Sequence, residues 1–186
     1  MTTERAAQQL PSSPQGGCSS RLRLTLGLGR VLIAEVPSIV RTVLGSCVAV
    51  ILHVPRLRLS ALCHAQMPER REDPSFLDDA SDCGCEDPDD EDLKYVSCSI
   101  RYMLDELGRR GVTRQEIVAT LVDGGNVVRN IDRRWSVGSR NVQIARLALA
   151  KEGIPISYMD IGGTRGRVVE HVSDRNHTRV RYHEGA

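Results

Sequence analysis

Two residues of this chain could together perform nucleophilic chemistry, the thiol of Cys47 and the imidazole of His64. A free thiol has a pKa of about 8.5, and an adjacent imidazolium stabilises the thiolate and lowers that pKa. The thiolate can attack a carbonyl carbon, while the histidine protonates the leaving group and later activates water. We therefore expect a cysteine-dependent amide hydrolysis with Cys47 as nucleophile and His64 as base.

The spacing of Cys47 and His64 fits a β-hairpin. Val48–Val54 is apolar almost throughout, as in a strand buried on both faces, and Arg58–Gln66 resumes an extended pattern. A hairpin centred on Pro55-Arg56 places Cys47 directly opposite His64, where Cβ atoms lie about 4.5–5.5 Å apart. Proline at the first loop position favours an ordinary turn, and we expect a four-residue loop to keep this register.

The residues before Cys47 support the same chemistry. Gly45 permits a sharp turn, so Gly45 and Ser46 could direct the backbone N–H of the nucleophile toward a substrate, as an oxyanion hole requires. The alternative is structural. Cysteine is among the most buried residue types, and a histidine on a neighbouring strand is usually only hydrogen-bonded. Spacing alone leaves both interpretations open.

Composition narrows the class of protein. The chain has 186 residues, 40% hydrophobic and 26% charged, which suits one globular domain with an ordinary core. A net charge of +1 gives no indication of nucleic acid or lipid as the main partner. Met1–Ser20 is typical of a disordered tail and lacks the apolar segment of a secretory signal. We therefore expect a cytoplasmic protein without membrane insertion, whose six cysteines are not disulfide-bonded.

The hydrophobic pattern predicts strands with two inserted helices. Arg21–Ala34 indicates a strand, a turn and a strand, and Ser38–Leu44 is a further strand that leads into Gly45. Helices are expected over Leu93–Gly111 and Val137–Glu152. The remaining strands are expected at Glu116–Val122, Ile154–Ile161, Val168–Val172 and Thr178–Tyr182. This mixture predicts an α+β fold in one domain over residues 21–183.

Glu69–Asp92 differs in composition from the rest of the chain. It holds half of the 24 acidic residues and few large apolar ones, so we expect a mobile acidic loop within the domain. Cys83 and Cys85 lie in it and, with Cys63 and Cys98, offer four thiolates for zinc. Structural zinc sites usually separate paired cysteines by two or more residues, so we expect no metal.

The residues around Cys47 and His64 resemble the CheD family of chemoreceptor glutamine deamidases. The similarity begins in the block Thr42-Val43-Leu44-Gly45-Ser46-Cys47-Val48-Ala49-Val50 and in His64 followed by Met67-Pro68. It continues in Gly124-Gly125, Val137-Gly138-Ser139-Arg140-Asn141, Asp160-Ile161-Gly162-Gly163 and Gly166-Arg167. These motifs follow the family's order from about Arg21 to Tyr182. Gln66 departs from the family, which has an apolar residue there.

The resemblance implies a three-layer α/β/β sandwich and hydrolysis of glutamine side chains in methyl-accepting chemotaxis receptors, without metal or organic cofactor. Cys47 falls on the family's nucleophile and His64 on its general base. Thr42 falls near the third catalytic position, where a hydroxyl would orient the imidazole. The alternative is a chemotaxis adaptor that binds receptors or a CheC-type phosphatase through the same fold, with little turnover.

Two further groups of polar residues have structural interpretations. Gly138-Ser139-Arg140-Asn141 opens the second predicted helix, where a helix cap is the simplest role, and the family resemblance places it near the site. His171, His177 and His183 are expected to be solvated strand and loop histidines rather than ligands. The paired glycines at 124–125 and 162–163 indicate tight turns.

Overall fold

The computed structural model describes residues 7–9, 21–69, 89–123, 125 and 136–183. Most of the predicted tail and of the acidic loop, with Cys83 and Cys85, lies outside these ranges. Within them the strands are β1 (Ala7–Gln9), β2 (Leu22–Leu26), β3 (Arg30–Ala34), β4 (Ser38–Leu44), β5 (Val48–Val54), β6 (Leu59–Ala65), β7 (Val118–Asp123), β8 (Ile156–Asp160), β9 (Arg167–Val172) and β10 (His177–Tyr182). The helices are α1 (Val96–Arg109) and α2 (Val137–Lys151).

The strands form two five-stranded sheets. The outer sheet has the order β1-β2-β4-β9-β10, and the central sheet has the order β3-β6-β5-β7-β8. Both helices pack on one face of the central sheet, and side chains of the outer sheet cover the other face. This is the α+β sandwich of three layers that the family resemblance implies, and that prediction is confirmed.

Alternation along the central strands separates the two cores. Successive side chains of a strand point to opposite faces. On β5, Val50 packs with the helices, whereas Ala49 and Ile51 pack with residues of the outer sheet. On β6, Leu62 also packs against the outer sheet, and His64 lies two residues further on the same face. β5 is buried along its whole length because it is covered on both sides.

The β5–β6 hairpin does not have the predicted register. Pro55–Leu57 forms one turn of 3-10 helix, and Arg58 closes the loop in the left-handed conformation with φ of 53°. The loop has four residues, as expected, but all four follow Val54, so Val54 pairs with Leu59. The ladder is therefore shifted by two residues from the predicted one.

The shifted ladder pairs His64 with Ala49 rather than with Cys47. The prediction that Cys47 lies directly opposite His64 is therefore wrong, because the proline turn displaces the loop toward β6. A shift of two residues is one full period of a strand, so it changes the partner of His64 but not the face that His64 occupies.

The two helices begin and end at recognisable signals. α2 starts at Val137, and the Ser136 side chain accepts a hydrogen bond from the N–H of Ser139 at 3.2 Å. The prediction that the Gly138–Asn141 segment supplies the cap is wrong, since the helix starts ahead of it. After α1, Gly111 has a φ of +72°, which favours glycine and ends the helix as predicted.

Candidate active site

His64 and Thr42 meet between the two sheets. His64 lies on β6 of the central sheet, Thr42 lies on β4 of the outer sheet, and both side chains are buried. Thr42 Oγ1 is 2.8 Å from His64 Nδ1 and donates its own proton to the carbonyl oxygen of Leu26 at 2.9 Å. A hydroxyl has one proton, so Thr42 must accept the hydrogen bond from His64 Nδ1–H. The contact therefore selects the tautomer of His64 whose Nε2 carries the lone pair.

The second ring nitrogen of His64, Nε2, can accept a proton. Nε2 is buried and has no hydrogen-bond partner among the residues that the structure describes. Burial lowers the pKa of His64 from 6.5 to about 4, against a smaller opposite effect of the Leu26 carbonyl. At neutral pH this side chain is an imidazole, not the imidazolium expected from the sequence, because burial disfavours the charge. A neutral imidazole with a bare Nε2 can act as a general base.

Cys47 lies at the entrance to β5. Gly45 and Ser46 form the bend between β4 and β5, and Cys47 follows directly. Its side chain packs against an inter-sheet cluster that includes Ala49, and Ala49 is the register partner of His64. The fold thus brings Cys47 to the same inter-sheet space as the imidazole of His64. Cys47 lies two residues before Ala49, the residue that pairs with His64. The oxyanion role of Gly45 and Ser46 stays a prediction.

The three cysteines within the described ranges differ in accessibility. Cys47 is partly exposed, whereas Cys63 and Cys98 are buried. Burial raises the pKa of the Cys63 thiol to about 12, which makes its thiolate negligible at neutral pH. Cys63 lies next to His64 in sequence, but its side chain belongs to the core on the helix side of the sheet. Of these three thiols, Cys47 alone combines solvent access with the inter-sheet position.

A residue that the sequence analysis did not assign to the chemistry joins the site from α2. Asn141 is fully buried, and its Nδ2 donates to the carbonyl oxygens of Ser46 at 3.0 Å and of Gln66 at 2.9 Å. A signal was present in the sequence, since Asn141 shares a helical face with Ala145 and Leu149 at four-residue spacing. A polar residue in an apolar helical face is buried with partners, and here the partners flank Cys47 and His64.

Another histidine, His171, is also buried between the two sheets. The prediction that His171 is solvated is wrong, because its side chain is fully buried. Its Nε2 lies 3.0 Å from Ser60 Oγ and its Nδ1 lies 3.0 Å from Thr178 Oγ1. Burial lowers the pKa of His171 to about 4. The prediction missed this because every second residue of β9 faces the central sheet. His177 and His183 are exposed, as expected.

Two further properties bear on binding. Within the described part of the chain, no group of three or more His, Cys, Asp or Glu side chains is arranged to hold a metal ion. The helices described here are also too short or too polar for any of them to cross a membrane.

Comparisons with known proteins identify a family. Residues 80–182 match the family model for CheD, described as CheD chemotactic sensory transduction. The chain is 37% identical over 139 residues to the probable chemoreceptor glutamine deamidase CheD 2 of Geobacter sulfurreducens, covering 75% of this chain and 76% of that protein. It is 30% identical over 172 residues to the probable chemoreceptor glutamine deamidase CheD 1 of Anaeromyxobacter dehalogenans, covering 92% and 90%.

Further relatives agree with these matches. The probable chemoreceptor glutamine deamidase CheD of Maridesulfovibrio salexigens is 33% identical over 149 residues, covering 78% of this chain and 82% of that protein. The Anaeromyxobacter match includes Thr42 to His64, because the 8% of this chain that it leaves uncovered is shorter than the segment before Thr42.

Among solved structures, the Bacillus licheniformis hypothetical protein YfiH superposes with a TM-score of 0.43 and 14% identity, covering 70% of this chain and 49% of that one.

Proposed function

The chain belongs to the CheD family, and on that premise we propose that it is a chemoreceptor glutamine deamidase. In this proposal it hydrolyses glutamine side chains of methyl-accepting chemotaxis receptors to glutamate and ammonia. The observation that carries the chemistry is the imidazole of His64, whose Nδ1 is held by Thr42 while its buried Nε2 has no hydrogen-bond partner among the described residues. His64 pairs with Ala49, two residues after Cys47. This arrangement is what a cysteine nucleophile requires from its base.

The first half of the proposed reaction forms a thioester. His64 Nε2 takes the proton of the Cys47 thiol as the sulfur attacks the carbon of the glutamine carboxamide. The carbonyl π bond opens to an oxyanion, for which we propose the backbone N–H groups of the Gly45–Cys47 bend as donors. The oxyanion then collapses, the carbon–nitrogen bond breaks, and the proton on Nε2 leaves with the nitrogen as ammonia.

The second half of the reaction restores the enzyme. His64 takes a proton from a water molecule, whose oxygen attacks the thioester carbon. The carbon–sulfur bond breaks, glutamate leaves, and the proton returns to the sulfur of Cys47. Water is the only co-substrate in this balance, so the proposal includes no metal ion and no organic cofactor. Thr42 holds the ring of His64 in one tautomer through both halves.

The proposed partners follow from the substrate. Receptor glutamines exposed to the cell interior would be modified in the cytoplasm, and we place the protein there. A CheC-type phosphatase is a further proposed partner. If the chain were an adaptor for receptors or for such a phosphatase, it would bind them without needing an intact pair of Cys47 and His64.

The test is direct conversion of receptor glutamines. The full chain is incubated with the cytoplasmic fragment of each receptor of the same organism, and receptor peptides are examined by mass spectrometry for glutamine-to-glutamate conversion. We expect conversion by the wild type and none by Cys47→Ala or His64→Ala. Cys63→Ala is the matched control, because it removes a neighbouring thiol from the opposite face of β6 and should retain activity.

The alternatives give distinct results in the same experiment. If receptor peptides after treatment with wild type and with Cys47→Ala are identical for every receptor, the deamidase proposal fails. If the same proteins nevertheless bind the receptor fragments equally well in a pull-down, the adaptor function replaces it.

A further inference from the structure

The amide side chain of Asn141 links the two segments that carry the candidate catalytic residues. Its Nδ2 donates one hydrogen bond to the carbonyl of Ser46, the residue before Cys47, and one to the carbonyl of Gln66, two residues after His64. Both bonds run from a single nitrogen atom on α2. A change in the position of either carbonyl relative to the other would therefore break one of these bonds.

The orientation of this amide group is determined by its neighbours. Both partners of Nδ2 are carbonyl oxygens, which accept hydrogen bonds and never donate them, so a flipped amide would place Oδ1 against two acceptors. In the observed orientation Oδ1 is buried and has no hydrogen-bond partner among the described residues. A buried acceptor without a donor opposes folding. The unpaired Oδ1 therefore offsets part of the stability that the two hydrogen bonds of Nδ2 contribute.

The link lies where the backbone stops holding the two segments together. The ladder between β5 and β6 ends at the pair Val48 and Ala65. Beyond it the N–H groups of Gln66 and Met67 both turn to the carbonyl of Lys94, at 2.8 and 3.0 Å. Cys47 thus lies just outside the ladder, at the point where the strands part and the side chain of Asn141 replaces backbone pairing.

The helix that carries Asn141 is itself anchored near the site. Ser136 caps its first turn, and Arg140 Nη2 forms an ion pair with the carboxylate of Glu69 at 2.8 Å. Leu149 and Ala145, on the same face as Asn141, are buried against the central sheet. The amide group therefore projects from a supported element rather than from a loop.

We propose that Asn141 is a positioning residue, which sets the separation between the Cys47 thiol and His64 Nε2 by holding the carbonyls of Ser46 and Gln66 on one amide nitrogen. It acts through these two backbone groups. Its effect on turnover rests on the proposed function, whereas its effect on the reactivity of the thiol can be measured without any receptor.

The test is a double-mutant cycle read by alkylation of Cys47. The second-order rate of reaction with iodoacetamide at pH 7 is measured by peptide mass spectrometry for wild type, His64→Ala, Asn141→Ala and the double variant. We expect Asn141→Ala to slow alkylation of Cys47 about 10-fold, and His64→Ala to have little further effect in that background. If Asn141 had only a structural role, His64→Ala would slow alkylation of Cys47 by the same factor with and without Asn141→Ala.

Two variants keep the cycle interpretable. Asn141→Leu has nearly the same size but offers no proton to either carbonyl, so it reports the loss of both hydrogen bonds if Asn141→Ala does not fold. Ser99→Ala is the matched control, because Ser99 on α1 is also buried and donates to a backbone carbonyl, that of Leu93 at 2.6 Å. Ser99→Ala should lower the urea midpoint and leave alkylation of Cys47 at the wild-type rate.

The outcomes separate this inference from the proposed function. The positioning role is overturned if folded Asn141→Ala is alkylated at Cys47 at the wild-type rate. It is also overturned if His64→Ala slows this alkylation by the same factor in the wild type and in Asn141→Ala. If the effects of Asn141→Ala and His64→Ala on alkylation are coupled but the protein converts no receptor glutamine, the positioning role is supported and the deamidase proposal is wrong. If the enzyme is active, we expect kcat to fall about 10-fold or more in Asn141→Ala while KM stays within about 3-fold.

Discussion

Thr42 Oγ1 lies 2.8 Å from His64 Nδ1, and this hydrogen bond connects the outer sheet to the central sheet. The parallel pairing of β2 with β4 carries the carbonyl of Leu26 to the hydroxyl of Thr42, where it takes the only hydroxyl proton at 2.9 Å. The tautomer of His64 on the central sheet is thus decided by residues on two strands of the outer sheet. For the proposed reaction this contact is the reason that Nε2, and not Nδ1, is the base.

Substitution of Thr42 tests this relationship. Thr42→Val keeps the shape of the side chain but leaves Nδ1–H of His64 buried without an acceptor, which costs about 1–3 kcal/mol of stability. We expect kcat for receptor deamidation to fall about 10- to 100-fold, because the correct tautomer and ring orientation are no longer imposed. Thr42→Ser keeps the hydroxyl and should retain activity within about 3-fold of wild type. Equal activity of Thr42→Val and Thr42→Ser would contradict the assignment.

The acid limb of the activity profile should lie well below the usual range for histidine. Burial lowers the pKa of His64 to about 4, and the base is active in its neutral form, which predominates above that pKa. We therefore expect no loss of kcat/KM from titration of His64 between pH 7 and pH 5. Initial rates should be measured with the folded fraction followed by circular dichroism. A limb centred near pH 6.5 in fully folded protein would show that His64 is not the base or is solvated.

Stability should decrease as the pH falls. His64 and His171 each have a pKa of about 4 in the folded protein against 6.5 in the unfolded chain, so the unfolded chain binds more protons between these values. Their contribution to stability is present above pH 6.5 and is lost as the pH falls toward 4. The free energy of unfolding in urea should drop by about 2 kcal/mol for each of these two histidines between pH 7 and pH 5.

A matched pair of variants isolates one histidine from this pH effect. His171→Gln cannot take up a proton and should reduce the loss of unfolding free energy by about 2 kcal/mol. His183→Gln is the matched control, because it replaces an exposed histidine at the far end of the β9–β10 pair and leaves the surroundings of His171 unchanged. It should leave the pH dependence as in the wild type. If the two variants give the same curve, burial of His171 does not control the effect.

Thiol labelling should separate the three described cysteines. Cys47 is partly exposed, while Cys63 and Cys98 are buried and burial raises the pKa of Cys63 to about 12. In native buffer at pH 7 we expect iodoacetamide to modify Cys47 at least about 10-fold faster than the other two. In urea the three rates should converge. Peptide mapping measures each site separately, and rapid native labelling of Cys63 would contradict the burial of its thiol.

The sequence pattern predicts β2 to β10 and both helices closely, since each predicted bound lies within three residues of the observed one. The strand β1 (Ala7–Gln9) was not predicted, because it lies in the segment expected to be a disordered tail. Ser38–Leu44 and Val48–Val54 agree at both ends because alternation and β-branched residues are local signals. The pairing of strands depends on contacts that are distant in sequence. Arg21–Ala34 does contain two strands, but β2 joins the outer sheet and β3 the central one, and no local signal tells in which layer a strand lies.

The candidate site shows the same division. Residue types, spacing and family resemblance predict Cys47, His64 and Thr42. The predicted opposition of Cys47 and His64 depends on a hairpin register that the Pro55–Arg58 loop shifts by two residues. Asn141 was placed near the site only by resemblance. Its two carbonyl partners come from segments 75 and 95 residues away in sequence.

The sequence by itself determined which residues could perform the chemistry, which segments become strands and helices, and which family the motifs resemble. These properties depend on side-chain type and on short-range periodicity. Only the tertiary structure decided that Thr42 of one sheet meets His64 of the other, that burial keeps the imidazole neutral, and that Asn141 replaces backbone pairing beside Cys47. Tautomer, pKa and position depend on contacts between layers, which form only when the two sheets and α2 pack together.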